Sequence, residues 1–451
     1  MYNVQDLLLP APDDAGHSEG FEDTASETST IAFEQEPFEL MKSKVEELIT
    51  HKLARVPSEI QIERMEGGAY NRVIGASVVP RHSTRFCTHW FYERLCRLFG
   101  MADNRDSSKY IVRIPRGETE GIITSQVAVL HAIAPRLSFP VPQVVAYNDS
   151  YDNHLGRPYM IQERLPGQAL SNIWDALNLQ QKKSVVKRYA ELVSEIVSVE
   201  AVPGEISDRN LTAETGDPLH IDKMDRRGGA AYEPAKPQTS AEFMITLLRF
   251  WRGLDDEQHS WLHEIWDGLI AITHSLDQRG FLALPTALFH PDLCEYNLLA
   301  QIRGAEEVEI TGVIDWDDAV IAPTFMAYRA PTWLWMPGDT DYEDDSLVND
   351  EPVTEEDRKL KAYFLEHASE DYRRHAFSPE SILARRMFYI LEHGMSSDYA
   401  MDMAKDIIRE WNKLHSEDVV RLNCGDSGME GDDDSDGSDD SDVDDDLENR
   451  D

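Results

Sequence analysis

Positive charge is what this chain has least of. Its 451 residues carry 43 Lys or Arg against 84 Asp or Glu, a net charge of −41. So acidic a protein repels nucleic acid and anionic lipid unless a basic patch overrides its field, and no long Lys/Arg run offers one. Neither nucleic acid nor a membrane is therefore an expected partner. Cysteine is scarce as well. The four cysteines stand at 87, 96, 294 and 424, irregularly spaced and without a C-x-x-C, which argues against a disulfide framework and a zinc site. Reduced thiols in an intracellular protein fit best. No apolar run approaches the ~18 residues of a membrane span. The N-terminal stretch "MYNVQDLLLPAPDD" has no basic segment ahead of an apolar core and is too acidic for a mitochondrial presequence. The expected compartment is the cytoplasm, with the nucleus left open.

What is present is ordinary in amount and uneven in placement. A composition of 41% hydrophobic and 28% charged residues supports a normal core, and the length suggests two or three lobes. Residues 425–451 hold 14 Asp or Glu against one Arg, a net −13 that leaves −28 for the rest. This Asp/Ser-rich tail (421–451) and the acidic N-terminus (1–36) are expected to be disordered, since neither can bury enough apolar surface to offset ordering. Ser427 and Ser441 each have an acid three residues on and suit acidophilic kinases, beside the plainer reading of a solubilising tail.

Between the two ends the hydrophobic period changes once. "PFELMKSKVEELITHKLA" (37–54) has helical spacing, with Leu40, Val45, Leu48 and Ile49 on one side and Pro57 beyond. Then come "SEIQIERMEGGAYNRVIGASVV" (58–79) as strand, glycine turn and strand, an insertion (80–108) with a helical middle, and "KYIVRIPR" (109–116) as a strand. A helix at 120–134 and strands in "FPVPQVVAYND" and "RPYMIQERLPGQAL" complete this part. From about residue 171 long amphipathic helices take over, interrupted by a Gly/Pro-rich loop at 203–239 and by a hairpin turning at Arg303-Gly304. The fold class expected is α+β: a strand-rich lobe over 37–168, then a mostly helical lobe over 169–420.

The chemistry concentrates in "HPDLCEYN" (290–297) and "GVIDWDD" (312–318). A carboxylate five residues before an amide, in a loop entering a strand, is what phosphoryl transfer needs. Asp292 can accept a hydroxyl proton and orient the nucleophile, while Asn297 offers an oxygen to Mg²⁺. Asp315, ending the second hairpin strand, can reach the same hard cation. His290 reads as a packing and orienting residue. An Asp and an Asn could also be plain turn formers, but the hairpin ending in I-D-W favours the chemical reading. Cys294 has no neighbouring cation and reads as a neutral filler.

These two stretches resemble the aminoglycoside phosphotransferase (phosphotransferase enzyme) family, whose fold is protein-kinase-like. "GGAYNRV", "YIVRIPR", "FPVPQVVAY" and "PYMIQERLPGQAL" stand in the order that such a small lobe and hinge require, and their form resembles the fungal branch. The resemblance covers about 58–335. It implies ATP and Mg²⁺ as cofactors and a kinase activity on a small hydroxyl-bearing acceptor. Gly67, Gly68, Ala69, Tyr70 and Asn71 match the turn over the nucleotide phosphates, where glycine lets backbone N–H groups approach closely. Glu163 and Leu165 match the hinge beside adenine. Arg113 stands where a Lys usually grips the phosphates, and Gln126 where a Glu usually pairs with that Lys. Arg holds phosphate well, but Gln can only accept a hydrogen bond from it, which softens an ion pair to a charge–dipole contact. Glu118 or Glu120 are candidate substitutes for the missing carboxylate. Asp317 and Asp318 are extra carboxylates, suited either to a second ion or to repelling an anionic substrate. "APTFMAY" (322–328) supplies no acid where many members have one.

Two functions follow. One is an ATP- and Mg²⁺-dependent small-molecule kinase whose acceptor, judged from the acidic surface, is cationic, such as an amine-bearing alcohol or aminosugar. The alternative is a pseudokinase that binds a partner, motivated by the Arg113/Gln126 pair and the acidic ends. Retention of Asp292, Asn297 and Asp315 argues for the first. A true protein kinase is weaker, since no A-P-E segment follows Asp315.

Overall fold

The computed structural model describes residues 36–65, 67, 70–79, 108–117, 121–214, 216–224, 233–255, 260–336 and 345–422. The acidic N-terminal stretch up to 35, most of the 80–108 insertion, Gly68, Ala69, Glu118, Glu120 and the tail from 423 lie outside the described residues.

Helix α1 (Phe38–Lys52) buries Met41, Val45, Leu48 and Ile49. Their spacing makes one stripe, which packs against Ile60, Ile74, Val112 and Ile161 of the neighbouring sheet. Leu40, expected on that face, is exposed and Met41 takes its place. One residue is a ~100° step around the helix, enough to swing Leu40 off a narrow stripe.

Strands β1 (Ile60–Arg64), β2 (Asn71–Val78), β3 (Ser108–Pro115), β4 (Val144–Asn148) and β5 (Tyr159–Glu163) form one antiparallel sheet in the order β1-β2-β3-β5-β4. Its register sets Val73 and Met160 on either side of Arg113. Helix α2 (Ile122–Ile133) lies against β4 and buries Ile123, Val127, Leu130 and Ile133. Its start is fixed from the sheet: Asp149 accepts from the Gly121 and Thr124 amides at 3.2 and 2.9 Å. An anion there also complements the helix dipole.

The chain leaves this sheet through Pro166-Gly167. Gly167 has φ +104°, and a Cβ there would strike Thr311 and the Ala300 backbone, so only glycine fits. Strand β6 (Gln168–Ala169) then pairs with the later hairpin. Helix α3 (Leu179–Val197) starts in a capping box of Asn178 and Gln181. The segment read as loop at 203–239 contains two short strands, β7 (Gly204–Ile206) and β8 (Ile221–Asp222). They join β9 (Thr286–Phe289) and β12 (Val320–Pro323) in a sheet ordered β8-β7-β12-β9. Strands of two or three residues carry too little periodicity to read without their partners. The hairpin β10 (Leu298–Ile302) and β11 (Val308–Val313) makes the third sheet, β11-β10-β6.

Helices α4 (Ser240–Arg252), α5 (Ser260–Gln278), α8 (Pro379–His393) and α9 (Asp398–Leu414) share one apolar core around Trp266, Met387 and Trp411. Among the described residues, α6 (Glu355–His367) and α7 (Glu370–Phe377) stand between α5 and α8. A strand-rich lobe carrying α1 and α2, followed by a mostly helical lobe, is the two-lobed, protein-kinase-like α+β architecture anticipated above. No helix among the described residues is long and apolar enough to cross a membrane.

The helical lobe contains a buried acid-sensitive group. His375 is fully packed, its Nδ1 2.8 Å from the Ser381 hydroxyl, and burial with the nearby Arg374 and Arg385 charges pushes its pKa down from 6.5 to about 4. The neutral ring is favoured in the folded state, so its contribution is complete above pH 6.5 and is lost as pH falls toward 4. We expect acid destabilisation over that window of up to about 3 kcal/mol from this residue. Melting curves from pH 7 to 4.5 should be flatter for His375→Gln, which cannot charge. Equal slopes would remove His375 from the account.

Candidate active site

The loop between β9 and β10 is tied into a small closed network. Asn297 Nδ2 donates to the Asp292 carboxylate at 2.7 Å and to its carbonyl at 2.9 Å. That turns one end of the amide inward and leaves the oxygen as the end available to a cation. The Cys294 thiol donates to the other Asp292 oxygen at 3.2 Å. Burial pushes that thiol up to about 12, so it is a neutral donor and no nucleophile. Tyr296, next to Asn297, is exposed.

His290 joins this loop to the next. It is buried, and burial lowers its pKa, so the ring is neutral at pH 7. The Asp292 amide donates to Nδ1 at 3.2 Å, which puts the ring proton on Nε2, where it donates to the Ile314 carbonyl at 3.0 Å. Trp316 stands edge-on to the ring at 4.6 Å and stacks on Phe139. With both nitrogens committed, His290 is an orienting group.

After Ile314 the chain turns sharply. Asp315 has φ +64°, a left-handed conformation that Asp tolerates better than most residues. Trp316 dives into the core and donates to the Val313 carbonyl at 3.0 Å. Asp315 and Asp317 both meet the one guanidinium of Arg113. Arg113 Nη2 donates to Asp315 Oδ1 at 3.0 Å, while Nη1 and Nη2 reach the two Asp317 oxygens at 3.0 and 2.5 Å. Burial alone would lower the Arg113 pKa; Asp317 and Asp315 outweigh it and hold it above its ordinary value. Burial lifts the Asp317 carboxyl to about 6, with Arg113 drawing it back.

Gln126 does not meet Arg113 as anticipated. Its Nε2 donates to Asp317 Oδ2 at 2.9 Å, and its Oε1 is buried without a partner. The expected charge–dipole contact is replaced by a full ion pair whose carboxylate comes from the loop after β11. Asn71 also points at Asp317, with Nδ2 3.4 Å from Oδ2. Gly67 lies at the turn before β2, where a Cβ would crowd the Asn71 carbonyl; Tyr70 is exposed. Glu163 ends β5 with its amide donating to the Gln143 carbonyl at 2.8 Å and its side chain in solvent. Leu165 packs over Gly312 of β11. So His290, Asp292, Asn297, Arg113, Gln126, Asn71 and Asp315 belong to two linked clusters, while Glu163 and Leu165 lie where the chain leaves β5 and Gly67 and Tyr70 lie just before β2. Asp317, left unassigned by sequence, is the hub of one cluster. Its signal was its alternation with Asp315.

The model of the phosphotransferase enzyme family matches residues 101–328. The chain belongs to that family. A subtelomeric hrmA-associated cluster protein of Aspergillus fumigatus is 24% identical over 339 residues, 59% of this chain and 65% of that protein. The chain thus spans about two thirds of the length of that relative. Altered inheritance of mitochondria protein 9 of Meyerozyma guilliermondii is 31% identical over 80 residues, 17% of this chain and 13% of that protein. Among solved structures, the GDP complex of wild-type aminoglycoside 2'-phosphotransferase-IIIa aligns at 16% identity and TM-score 0.42, covering 81% of this chain and 97% of that one. Aminoglycoside phosphotransferase APH(4)-Ia aligns at 16% and TM-score 0.41, covering 82% and 98%.

In this member of the family the network around His290 makes a sharp stability prediction. His290→Phe keeps the ring against Trp316 but leaves the Ile314 carbonyl and the Asp292 amide without their partner. The expected loss is about 3 kcal/mol, read from urea unfolding midpoints at pH 7. A loss below ~1 kcal/mol would mean the two backbone groups find other partners.

Proposed function

We propose that this chain transfers the γ-phosphoryl group of ATP, with Mg²⁺, to a hydroxyl of a small acceptor. The observation that carries the reading is the Asp292–Asn297 hydrogen bond, linked through His290 and Ile314 to Asp315. Asp292 accepts the proton of the acceptor hydroxyl as its oxygen bonds the γ-phosphorus and the bond to ADP breaks. Asn297 and the Asp292 amide fix that carboxylate's direction. Arg113 holds nucleotide phosphates, Gly67, Tyr70 and Asn71 lie over them, and the Glu163–Leu165 hinge borders adenine.

Mg²⁺ fits the donor set. Asn297 and Asp315 offer hard oxygens, and the Asp315 side chain is 45% exposed, open to an incoming ion. When bound, the ion neutralises charge on the phosphate oxygens. The acceptor is small and, given the net charge of −41, cationic. It does not occupy the cavity under the catalytic loop, lined by Tyr189, Leu293, Met326 and Trp333, whose ≈ 30 Å³ suits a water and no sugar.

One observation favours the pseudokinase reading. Asp315 and Arg113 neutralise each other in this structure, and nucleotide binding must separate them. The two readings part in a melt. ATP with Mg²⁺ at ~100 times its dissociation constant should stabilise the wild type by ~2.7 kcal/mol, and Asp315→Ala should lose the metal-dependent part. Asp292→Asn should bind nucleotide normally yet transfer phosphate roughly 10²–10⁴ times more slowly to any acceptor found. Equal transfer would remove Asp292 from its role; a silent wild type would leave the binding protein.

A further inference from the structure

Three elements of the strand-rich lobe converge on Asp317. Arg113 of β3 makes two hydrogen bonds to it, Gln126 of α2 one at 2.9 Å, and Asn71, the first residue of β2, one at 3.4 Å. Asp317 is correspondingly sheltered, its side chain 16% exposed against 45% for Asp315. Arg113 gives Asp315 only a single bond from Nη2. In the kinase arrangement a carboxylate on the helix restrains the phosphate-gripping cation. Here the helix presents Gln126, which donates its amide hydrogen to Asp317.

The geometry points to Asp317 as the positioning residue of this site, the carboxylate that ties β2, β3 and α2 together and aims Arg113 at the nucleotide phosphates. This rests on the phosphotransferase reading and deepens it. Arg113 keeps its bidentate hold on Asp317 and exchanges its single bond to Asp315 for a phosphate oxygen, which releases Asp315. Without Asp317, the guanidinium has only Asp315 to pair with, and the two groups that nucleotide needs stay locked to each other. The bidentate geometry is what lets Arg113 change one partner without losing both.

The sign of the effect separates this from plain electrostatics. If Asp317 were only one more negative charge near the phosphates, removing it would tighten ATP binding. As a positioning residue, its removal weakens binding. The experiment is calorimetric titration of ATP, with and without Mg²⁺, into wild type, Asp317→Asn, Asp317→Asn with Gln126→Glu, and Asp317→Asn with Gln126→Met, each melted without ligand first. We expect Asp317→Asn to bind ATP at least tenfold more weakly. Gln126→Glu, which returns the carboxylate from the helix side, should restore affinity to within threefold, and Gln126→Met should not. If Asp317→Asn lacks a cooperative melt, Asp317→Ser replaces it throughout. Unchanged or tighter binding, or a loss that Gln126→Glu leaves uncorrected, overturns the proposal while the phosphotransferase reading stands. A wild type that binds no ATP overturns both.

Discussion

A guanidinium buried in a sheet has to be met by carboxylate, and Arg113 sets that condition for the whole centre of this molecule. Leaving such a charge unpaired costs several kcal/mol. Arg113 sits mid-strand, 9% exposed, flanked by β2 and β5, so no counter-charge comes from the sheet itself. It comes from a loop some two hundred residues later in the chain. For that loop to arrive, the hairpin β10/β11 must lie under the hinge, which the bare Cα of Gly167 and the packing of Leu165 on Gly312 allow. The ion pair therefore fixes how the strand-rich lobe meets the β10/β11 hairpin.

The left-handed turn at Asp315 makes the second half of that condition possible. In an unbroken strand Asp315 and Asp317 would share a face and Trp316 would take the other, but the sheet ends at Val313 and the chain bends. The bend sends Trp316 inward onto His290 and Phe139 and keeps both carboxylates at Arg113. One packed indole thus connects two clusters. The neutral His290 that it supports orients the Asp292 backbone, and the carboxylates beside it hold Arg113. A shift of Trp316 disturbs both at once.

Much of this was legible from residue type and spacing alone. Long periods read well: α1, α2 and the hairpin turning at Arg303-Gly304 stand within a few residues of where the pattern puts them. What failed to show were features decided by distant partners. Strands β7 and β8 exist because β12 and β9 lie beside them, which no local pattern in 203–239 records. Leu40 and Met41 are equally apolar, and only the sheet beneath α1 chooses between them. The Arg113–Gln126 pair is the instructive case. A substitution at the helix position looks like a lost charge when read against one expected partner. The structure moves that charge to Asp317, which sequence marked as an extra acid with no assigned place.

On the proposed reading, the balance of charge at the site also says which form of nucleotide it suits. Asp292, Asp315 and Asp317 stand within one connected network, and the Arg113 cation is already matched by two of them. A bare triphosphate entering here would face uncompensated carboxylates and a cation it must share. On the proposed reading, a nucleotide carrying its own divalent ion brings the missing positive charge, satisfies Asp315 directly, and frees one Arg113 bond for phosphate. Binding of nucleotide and of metal are then coupled through a single carboxylate whose two possible partners, guanidinium and ion, compete for it. By reciprocity, whatever strengthens the Arg113–Asp315 contact weakens both ligands together. The tighter two-bond claim of Asp317 on Arg113 keeps that competition poised, because it leaves Asp315 the weaker partner and the one most easily surrendered.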